Sequence, residues 1–351
     1  MTEERSPDTL VTLRRDTLEF RFPGVHPRAR VSISFIRTLR VPDDGRKYPL
    51  PAGFGAFPLR HVEDFADRLP ATIVERGGVI LPMYQAEALW MSFRTAWPSA
   101  IQVGTGKICA VTGEAWRGKL AKKPEQNYLI APQQPWLDGY AMDKGEVRQF
   151  VAMPLGRGYT VEEQKTGTAK WNGIQLQCFP LRRAQWEEEQ RAREERVDFS
   201  QVLMLEDAAD AYSVREPSAV PLGIAPGGTI EQEIYEDDRP LEHWDRAYPA
   251  RVYVHLLNSH DWMRVTGETP PETPITIEAY RRAGIPWFDH YRDDLESRPG
   301  GEGFEGVKSI GAMGAVEDPP APGGEGAAPV SGPVIDTGPS SRPRRVRSAE
   351  F

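Results

Sequence analysis

The residue types best suited to chemistry in this chain are its histidines, four of which lie between residues 243 and 290. Imidazole and carboxylate groups from two separate elements are the usual ligands of an open, catalytic divalent-metal site. One hypothesis is therefore a metal-dependent, hydrolase-like enzyme with its site near the C-terminal end. It would use His255, His260 and Asp261 in catalysis, and His255, His260, Asp289 and His290 to hold the metal.

The spacing of these histidines favours a simpler interpretation. Apolar and polar positions alternate from Val252 to Leu257, so His255 falls on the strand face opposite Val252 and Val254. His255 and His260 are five positions apart, which fits neither a helical pair nor a strand pair. Scattered histidines usually serve as ordinary hydrogen-bonding residues. The leading hypothesis therefore includes no metal and no other cofactor.

The segment Gly104-Thr105-Gly106-Lys107 resembles part of a phosphate-binding loop, but the full motif is missing. That motif would need a glycine at Ile101 and a hydroxyl residue at Ile108. A tight turn between two strands explains the segment better. Cys109 follows in an apolar strand, where burial would raise the pKa of its thiol, so nucleophilic catalysis has no visible support.

A second candidate site comes from the nine tryptophans, several of which lie beside amides and acids. Aromatic platforms with adjoining polar groups bind polar ligands such as sugars. Trp136, Asp138 and Trp287 are therefore candidate ligand contacts. Packing is the alternative, because aromatic side chains dominate protein cores through their large area.

Period-two alternation is the main structural signal in the first half of the chain. Leu18, Phe20 and Phe22 fall on one face and Glu19 and Arg21 on the other, as in a half-buried strand. Further short strands follow up to residue 179, with glycines and prolines between them. The pattern predicts an α+β, β-rich fold with an antiparallel sandwich or barrel-like N-terminal domain.

The composition changes at residue 182, where good helix formers carry opposite charges three and four positions apart. We therefore predict a β-rich domain at 10–180, a charged helical linker at 181–213, a smaller α+β module at 214–298 and a Gly/Pro-rich disordered tail at 299–351. The module should contain a capped helix at 276–284. Residues 318–351 should be removable without loss of stability.

Composition and charge limit the partners and the location. The formal charge of −8 and the pI near 5.5 disfavour nucleic-acid binding. The first residues carry acid where an export signal carries base, and no run approaches the ~20 apolar residues of a membrane-spanning helix. The two cysteines, Cys109 and Cys178, are too few for a disulfide scaffold. We expect an acidic cytoplasmic protein that binds no nucleic acid and has no membrane span.

Three segments resemble those of a widespread, uncharacterised family of microbial proteins. They are Arg148 to Gly156, Tyr159 to Gln164 and Leu256 to Ser259, and the resemblance would extend from about residue 30 to about residue 310. It implies no activity, substrate or site residue.

Abundant strands, many aromatic residues and the lack of catalytic motifs favour a non-enzymatic protein. The leading hypothesis is a cytoplasmic protein that binds a protein partner or assembles with itself, with the C-terminal tail as a tether. The alternative is the metal-dependent enzyme centred on His255 and His260.

Overall fold

The computed structural model describes residues 10–194, 221–271, 297–313 and 344–348. Within these residues, the strands in chain order are β1 (Leu10–Arg14), β2 (Thr17–Arg21), β3 (Arg30–Thr38), β4 (Lys47–Tyr48), β5 (Gly53–Ala56), β6 (Arg60–His61), β7 (Val79–Met83), β8 (Ala88–Arg94), β9 (Ser99–Thr105), β10 (Ile108–Cys109), β11 (Leu129–Ala131), β12 (Trp136–Leu137), β13 (Gly139–Asp143), β14 (Glu146–Pro154), β15 (Ile174–Pro180), β16 (Leu222–Glu231), β17 (Ala250–Asn258) and β18 (Arg344–Arg345). The α-helices are α1 (Ala71–Arg76), α2 (Val161–Thr166), α3 (Arg183–Glu194) and α4 (Ser259–Thr266). Short 3-10 helices span Val62–Phe65, Leu241–His243 and Glu302–Phe304.

The strands form two sheets. The first sheet has the order β18-β1-β2-β3-β8-β14-β16-β4, with β5 beside β3, β12 beside β8 and β13 beside β14. The second sheet has the order β10-β9-β15-β17-β7-β6, with β11 beside β9. Both sheets are mixed, because β4 runs parallel to β16 and β7 runs parallel to β17. The predicted α+β, β-rich class is confirmed, and the described strands close neither sheet into a barrel.

One hydrophobic core joins the two sheets. Leu18 and Phe20 of β2 contribute to it from the first sheet, and Val103 of β9 and Val254 of β17 contribute from the second. All four side chains are fully buried. The period-two pattern of residues 18–22 therefore predicted the buried face of β2 correctly.

The pairing of the strands does not follow the predicted division at residues 181–213. Strand β16 pairs with β14 inside the first sheet, and β17 lies between β15 and β7 inside the second. Both strands come from the segment that was predicted to form a separate module. Residues 10–180 and 221–258 therefore share both sheets and one core.

The observed helices agree in part with those predicted from the sequence. Helix α3 coincides with the charged segment that was predicted to be helical. The capped helix predicted at 276–284 lies outside the described residues. In the part of the chain that the structure describes, no helix is long and apolar enough to cross a membrane.

Two stretches of the predicted disordered tail are ordered and packed. Phe304 is 3% exposed and packs edge-on against Tyr140, with ring centroids 5.6 Å apart. Val346 is 5% exposed and belongs to the core that the two sheets share. The prediction of disorder for 299–351 is therefore wrong for residues 299–313 and 344–348, because a few apolar side chains are enough to dock a glycine-rich segment on an existing core.

The packing of Phe304 leads to a stability prediction. Replacing Phe304 with alanine should lower the free energy of unfolding by about 3 to 5 kcal/mol, because the change removes a buried ring and leaves a cavity. Glu305→Ala is the matched control: Glu305 is an exposed neighbour, and exposed substitutions usually change stability by less than about 0.5 kcal/mol. Urea unfolding of both variants measures the difference. Equal stability of the two variants would contradict the packing of this segment.

Candidate functional site

His255 is a buried, hydrogen-bonded residue of β17. Its side chain is 2% exposed, and its Nε2 lies 2.9 Å from the carbonyl oxygen of Gly77. Because a carbonyl oxygen only accepts, Nε2 carries the proton of this bond. Burial lowers the pKa of His255 to about 4, an effect larger than the opposing effect of the bond to Gly77. The imidazole is therefore neutral at neutral pH.

Asp261 lies in the first turn of α4 and helps to cap the N-terminus of the helix. Its backbone N–H donates to Asn258 Oδ1 at 2.9 Å, and Asn258 Nδ2 donates back to its carboxylate at 2.8 Å. Arg264 pairs with the other carboxylate oxygen at 3.0 Å. His260 lies in the same first turn. Helix capping and an ion pair therefore account for the hydrogen bonds of Asp261.

The other residues of the predicted metal site are Asp289 and His290. Asp289 and His290, like the candidate ligand contact Trp287, lie outside the described residues. Among the residues that the structure describes, no three His, Cys, Asp or Glu side chains are grouped so that they could hold a metal ion.

Trp136 and Asp138 belong to a buried polar patch of the first sheet. The N–H of Asp138 donates to Gln232 Oε1 at 3.0 Å, and the side-chain amides of Gln134 and Gln232 donate to the Trp136 carbonyl. The carboxyl of Asp138 is buried, and neither of its oxygens has a partner within hydrogen-bond geometry. Burial raises the pKa of Asp138 well above its ordinary value, and the neighbouring Trp136 offsets only part of that rise. The fold therefore favours the protonated carboxyl.

In the middle of strands β9, β15 and β17, the second sheet has one apolar face and one polar face, whereas Ile80 of β7 and Leu257 of β17 continue the latter face into a second hydrophobic cluster. On β15, Ile174, Leu176 and Cys178 enter the shared core, and Gln175 and Gln177 alternate with them. Register extends this alternation across the neighbouring strands. The polar face consists of Gln102 and Gly104 from β9, Gln175 and Gln177 from β15, and Arg251, Tyr253 and His255 from β17.

Each glutamine of the polar face holds a loop through its amide nitrogen. Gln102 donates to the carbonyls of Arg117 and Lys119, Gln175 to that of Gly106 and Gln177 to that of Gly118. The carbonyl partners fix the orientation of each amide, and all three Oε1 atoms are buried without a hydrogen-bond partner. Buried acceptors of this kind are uncommon in packed proteins.

Three cations surround the indole of Trp171 beside the polar face. The distances to the ring centroid are 4.6 Å from the guanidinium carbon of Arg76, 4.3 Å from Nζ of Lys107 and 5.4 Å from Nζ of Lys170. We call these four residues the Trp171 cluster. Arg76 also lies 5.8 Å from the ring centroid of Tyr253, which connects the cluster to the polar face. The three charges are no more than about 10 Å apart, which is about one Debye length at moderate salt.

Two short elements position two of the three cations. Arg76 is the last residue of α1 and donates to the carbonyl oxygens of Trp171 and Lys170, each at 3.0 Å. Lys107 stands in the tight turn between β9 and β10, where a turn was predicted. The cluster therefore joins a helix end, a hairpin turn and a loop.

Glu162 of α2 fixes the loop of Trp171 from the other side. Its carboxylate accepts hydrogen bonds from the backbone N–H groups of Trp171 at 3.1 Å and Asn172 at 3.0 Å. Only glycine allows this approach at position 106, because φ is +57° there and a Cβ would lie 2.5 Å from a Glu162 oxygen. Helix α2 begins with a capping box between Thr160 and Glu163.

The charged groups of the cluster influence one another. Burial lowers the pKa of Lys107, Arg76 lowers it further, and Glu162 opposes both effects. Burial also raises the pKa of Glu162, and it raises the pKa of Tyr253 to about 12. Glu162, which is 3% exposed, thus opposes the positive charges of Arg76 and Lys107. Groups with shifted pKa values that converge in this way mark candidate functional sites, and an added anion would relieve the repulsion.

Sequence reasoning missed this site. Arg76, Lys107, Glu162 and Trp171 are separated by up to 95 positions, and no motif connects them. The available signals were the alternation of amides in Ile174 to Cys178 and the lysine that follows Gly106. Each signal predicted a strand or a turn, as observed, but neither indicates which loops lie over the sheet.

The lowered pKa of His255 predicts a pH dependence of stability. As pH falls from 6.5 towards 4, the unfolded chain binds a proton on this imidazole that the folded chain does not yet bind. Stability should therefore fall across this range, by roughly 3 kcal/mol for a shift of this size. His255→Gln keeps a donor for the Gly77 carbonyl but does not titrate, so its stability should fall less. Denaturant unfolding over this range measures both curves, and parallel curves would contradict the buried, neutral histidine.

The raised pKa of Asp138 predicts a stabilising substitution. Above the ordinary pKa of 3.8 the unfolded carboxyl ionises while burial keeps the folded one protonated, so stability falls as pH rises. Asp138→Asn keeps the shape of the side chain and cannot ionise. Its melting temperature should exceed that of the wild type at neutral pH, and the gain should shrink near the ordinary pKa. A lower melting temperature of the variant at neutral pH would show that the carboxylate is required in its charged form.

Comparison of the chain with protein-family models, with curated proteins and with solved structures gave no match. The resemblance of residues 148–156, 159–164 and 256–259 to a microbial family stays a prediction. The function of the Trp171 cluster must therefore be inferred from its own chemistry.

Proposed function

We propose that this chain is a non-enzymatic binding protein whose Trp171 cluster takes an acidic segment of a protein partner. The observation that carries the proposal is the placement of Arg76, Lys107 and Lys170 within 5.4 Å of a single indole centroid. Like charges at this separation repel one another, and a negatively charged group bound among them would offset that repulsion.

Charge complementarity supports an acidic partner. The whole chain carries a formal charge of −8, so a concentration of cations contrasts with the rest of the molecule. A local positive region on an acidic protein attracts a short acidic segment more selectively than a long polyanion, which the remaining negative charge repels. This supports a protein partner over a nucleic acid.

The shape of the cluster supports a side chain as the bound group. Trp171 and Lys107 are half-buried and Lys170 is exposed, so the cations reach the surface around an aromatic plane. A carboxylate can pair with Arg76 and Lys107 while its methylene groups contact the edge of the indole. Glutamate and aspartate side chains offer this combination.

Glu162 and His255, the nearby side chains that could act as a general acid or base, have structural roles, which supports binding over catalysis. Glu162 accepts hydrogen bonds from two backbone N–H groups, and His255 donates to the Gly77 carbonyl. Both side chains therefore have structural partners that hold the loops of the site. We also propose that this binding takes place in the cytoplasm, because the two cysteines are buried and free, which suits a reducing compartment.

The test is binding of a fluorescent oligoglutamate peptide, measured by anisotropy at low salt. Lys107→Glu and Lys170→Glu should each weaken binding by at least about tenfold, which is ~1.4 kcal/mol. The affinity should fall with added salt, and it should fall as pH rises, because Lys107 loses its charge at a lower pH than a solvated lysine.

Lys144→Glu is the matched control, because Lys144 is an exposed cation in the turn between β13 and β14 of the first sheet. It should leave the affinity unchanged, and circular dichroism should show all variants folded. Equal weakening by Lys144→Glu, or no binding of the peptide, would overturn the proposal. Tighter binding of single-stranded oligothymidylate than of the peptide would also overturn it in favour of a nucleic acid.

A further inference from the structure

Residues 344–348 form a short segment that contacts both sheets, and we call it the C-terminal segment. Strand β18 pairs antiparallel with β1, and the N–H of Val346 donates to the carbonyl of Val11 at 2.7 Å. The Val346 side chain enters the shared core. On the other side, the Arg347 carbonyl accepts from the N–H of Gly78 at 2.6 Å, and Ser348 forms a bridge with Gly77.

Charge pairs complete the docking. Both terminal nitrogens of the Arg344 guanidinium are 2.8 Å from the Asp64 carboxylate. Arg347 pairs with Glu63 at 2.8 Å and donates to the Val74 carbonyl at the same distance. The surface that receives the segment, which we call the groove, thus combines the edge of β1, an apolar site for Val346 and the carboxylates of Glu63 and Asp64. This combination is specific for sequence and direction, because each partner has a fixed place along the segment.

All of these contacts are made by five consecutive residues, so the groove cannot distinguish its own segment from that of another molecule. Residues 314–343 connect the segment to the rest of the chain, and 30 residues can reach at most roughly 100 Å when extended. A compact chain of 351 residues has a radius of gyration of only about 20 Å. The connection is therefore long enough for the segment to reach the same groove on a neighbouring molecule.

We propose that the C-terminal segment is an exchangeable strand that links copies of this chain by docking in the groove of a second copy. Exchange conserves every hydrogen bond and ion pair of the docked segment, which makes it a low-cost route to assembly. The tether favours docking within one molecule through a high effective concentration. Exchange is therefore expected at high local concentration, where neighbouring segments compete with the tethered one.

Cysteine pairing across β1 and β18 tests the exchange. Thr12 stands directly opposite Arg345, and the hydrogen bond between Val346 and Val11 makes Thr12 and Arg345 a non-hydrogen-bonded pair. Such pairs have Cα atoms about 4.5 Å apart, which suits a disulfide. The full-length double variant Thr12→Cys with Arg345→Cys should form an intrachain bond on mild oxidation. An equimolar mixture of the two single variants can form the same bond only between two molecules.

The mixture should give a disulfide-linked heterodimer whose yield rises from micromolar to millimolar protein. Adding Val346→Asp to the Arg345→Cys variant should abolish the heterodimer, because burying a charged side chain in the apolar site of Val346 costs free energy. Lys308→Cys mixed with Thr12→Cys controls for random collision, since Lys308 is exposed and lies outside the segment. A yield no higher than this control at the highest concentration would overturn the exchange. Absence of the intrachain bond in the double variant would overturn the docking itself.

Discussion

The structure depends on the two-sided character of the central strand β15. Ile174, Leu176 and Cys178 enter the core between the sheets, while Gln175 and Gln177 face the other way. The apolar side attaches the second sheet to the first, and the amide side holds the loops around Gly106 and Gly118 through backbone carbonyls. A shift of register by one residue would exchange the two faces, so the core and the candidate site form together or not at all.

The junction between α1 and β7 connects the candidate site with the C-terminal segment. Arg76 of the Trp171 cluster precedes Gly77, whose carbonyl accepts from His255 and whose neighbour Gly78 donates to Arg347. A Cβ at Gly78 would lie 2.2 Å from the Tyr253 carbonyl oxygen, so this close approach requires glycine. The same few backbone atoms thus hold Arg76 in place and receive the docked segment.

The sequence predicted features that depend on local pattern. Period-two alternation predicted the buried face of β2 at Leu18 and Phe20, and charge spacing predicted the helix at Arg183–Glu194. It could not predict that β16 and β17 pair inside the sheets of the first 180 residues, because strand pairing is a long-range property that local composition does not record. The prediction for the tail was wrong for a related reason. Val346 is a single apolar residue in a polar context, and its burial depends on an apolar site formed by strands that are distant in the sequence. The Trp171 cluster escaped prediction because its members become neighbours only when loops fold over the polar face.

The central claim is that the Trp171 cluster holds an anionic side chain from a partner. The most direct measurement is the pKa of Lys107, followed by NMR of its side chain in the free protein and in the presence of saturating oligoglutamate peptide. A carboxylate that docks between Arg76 and Lys107 stabilises the charged amine, so the account predicts a lowered pKa in the free protein and a clear rise on binding. A Lys107 pKa that stays unchanged when the peptide is bound would contradict it.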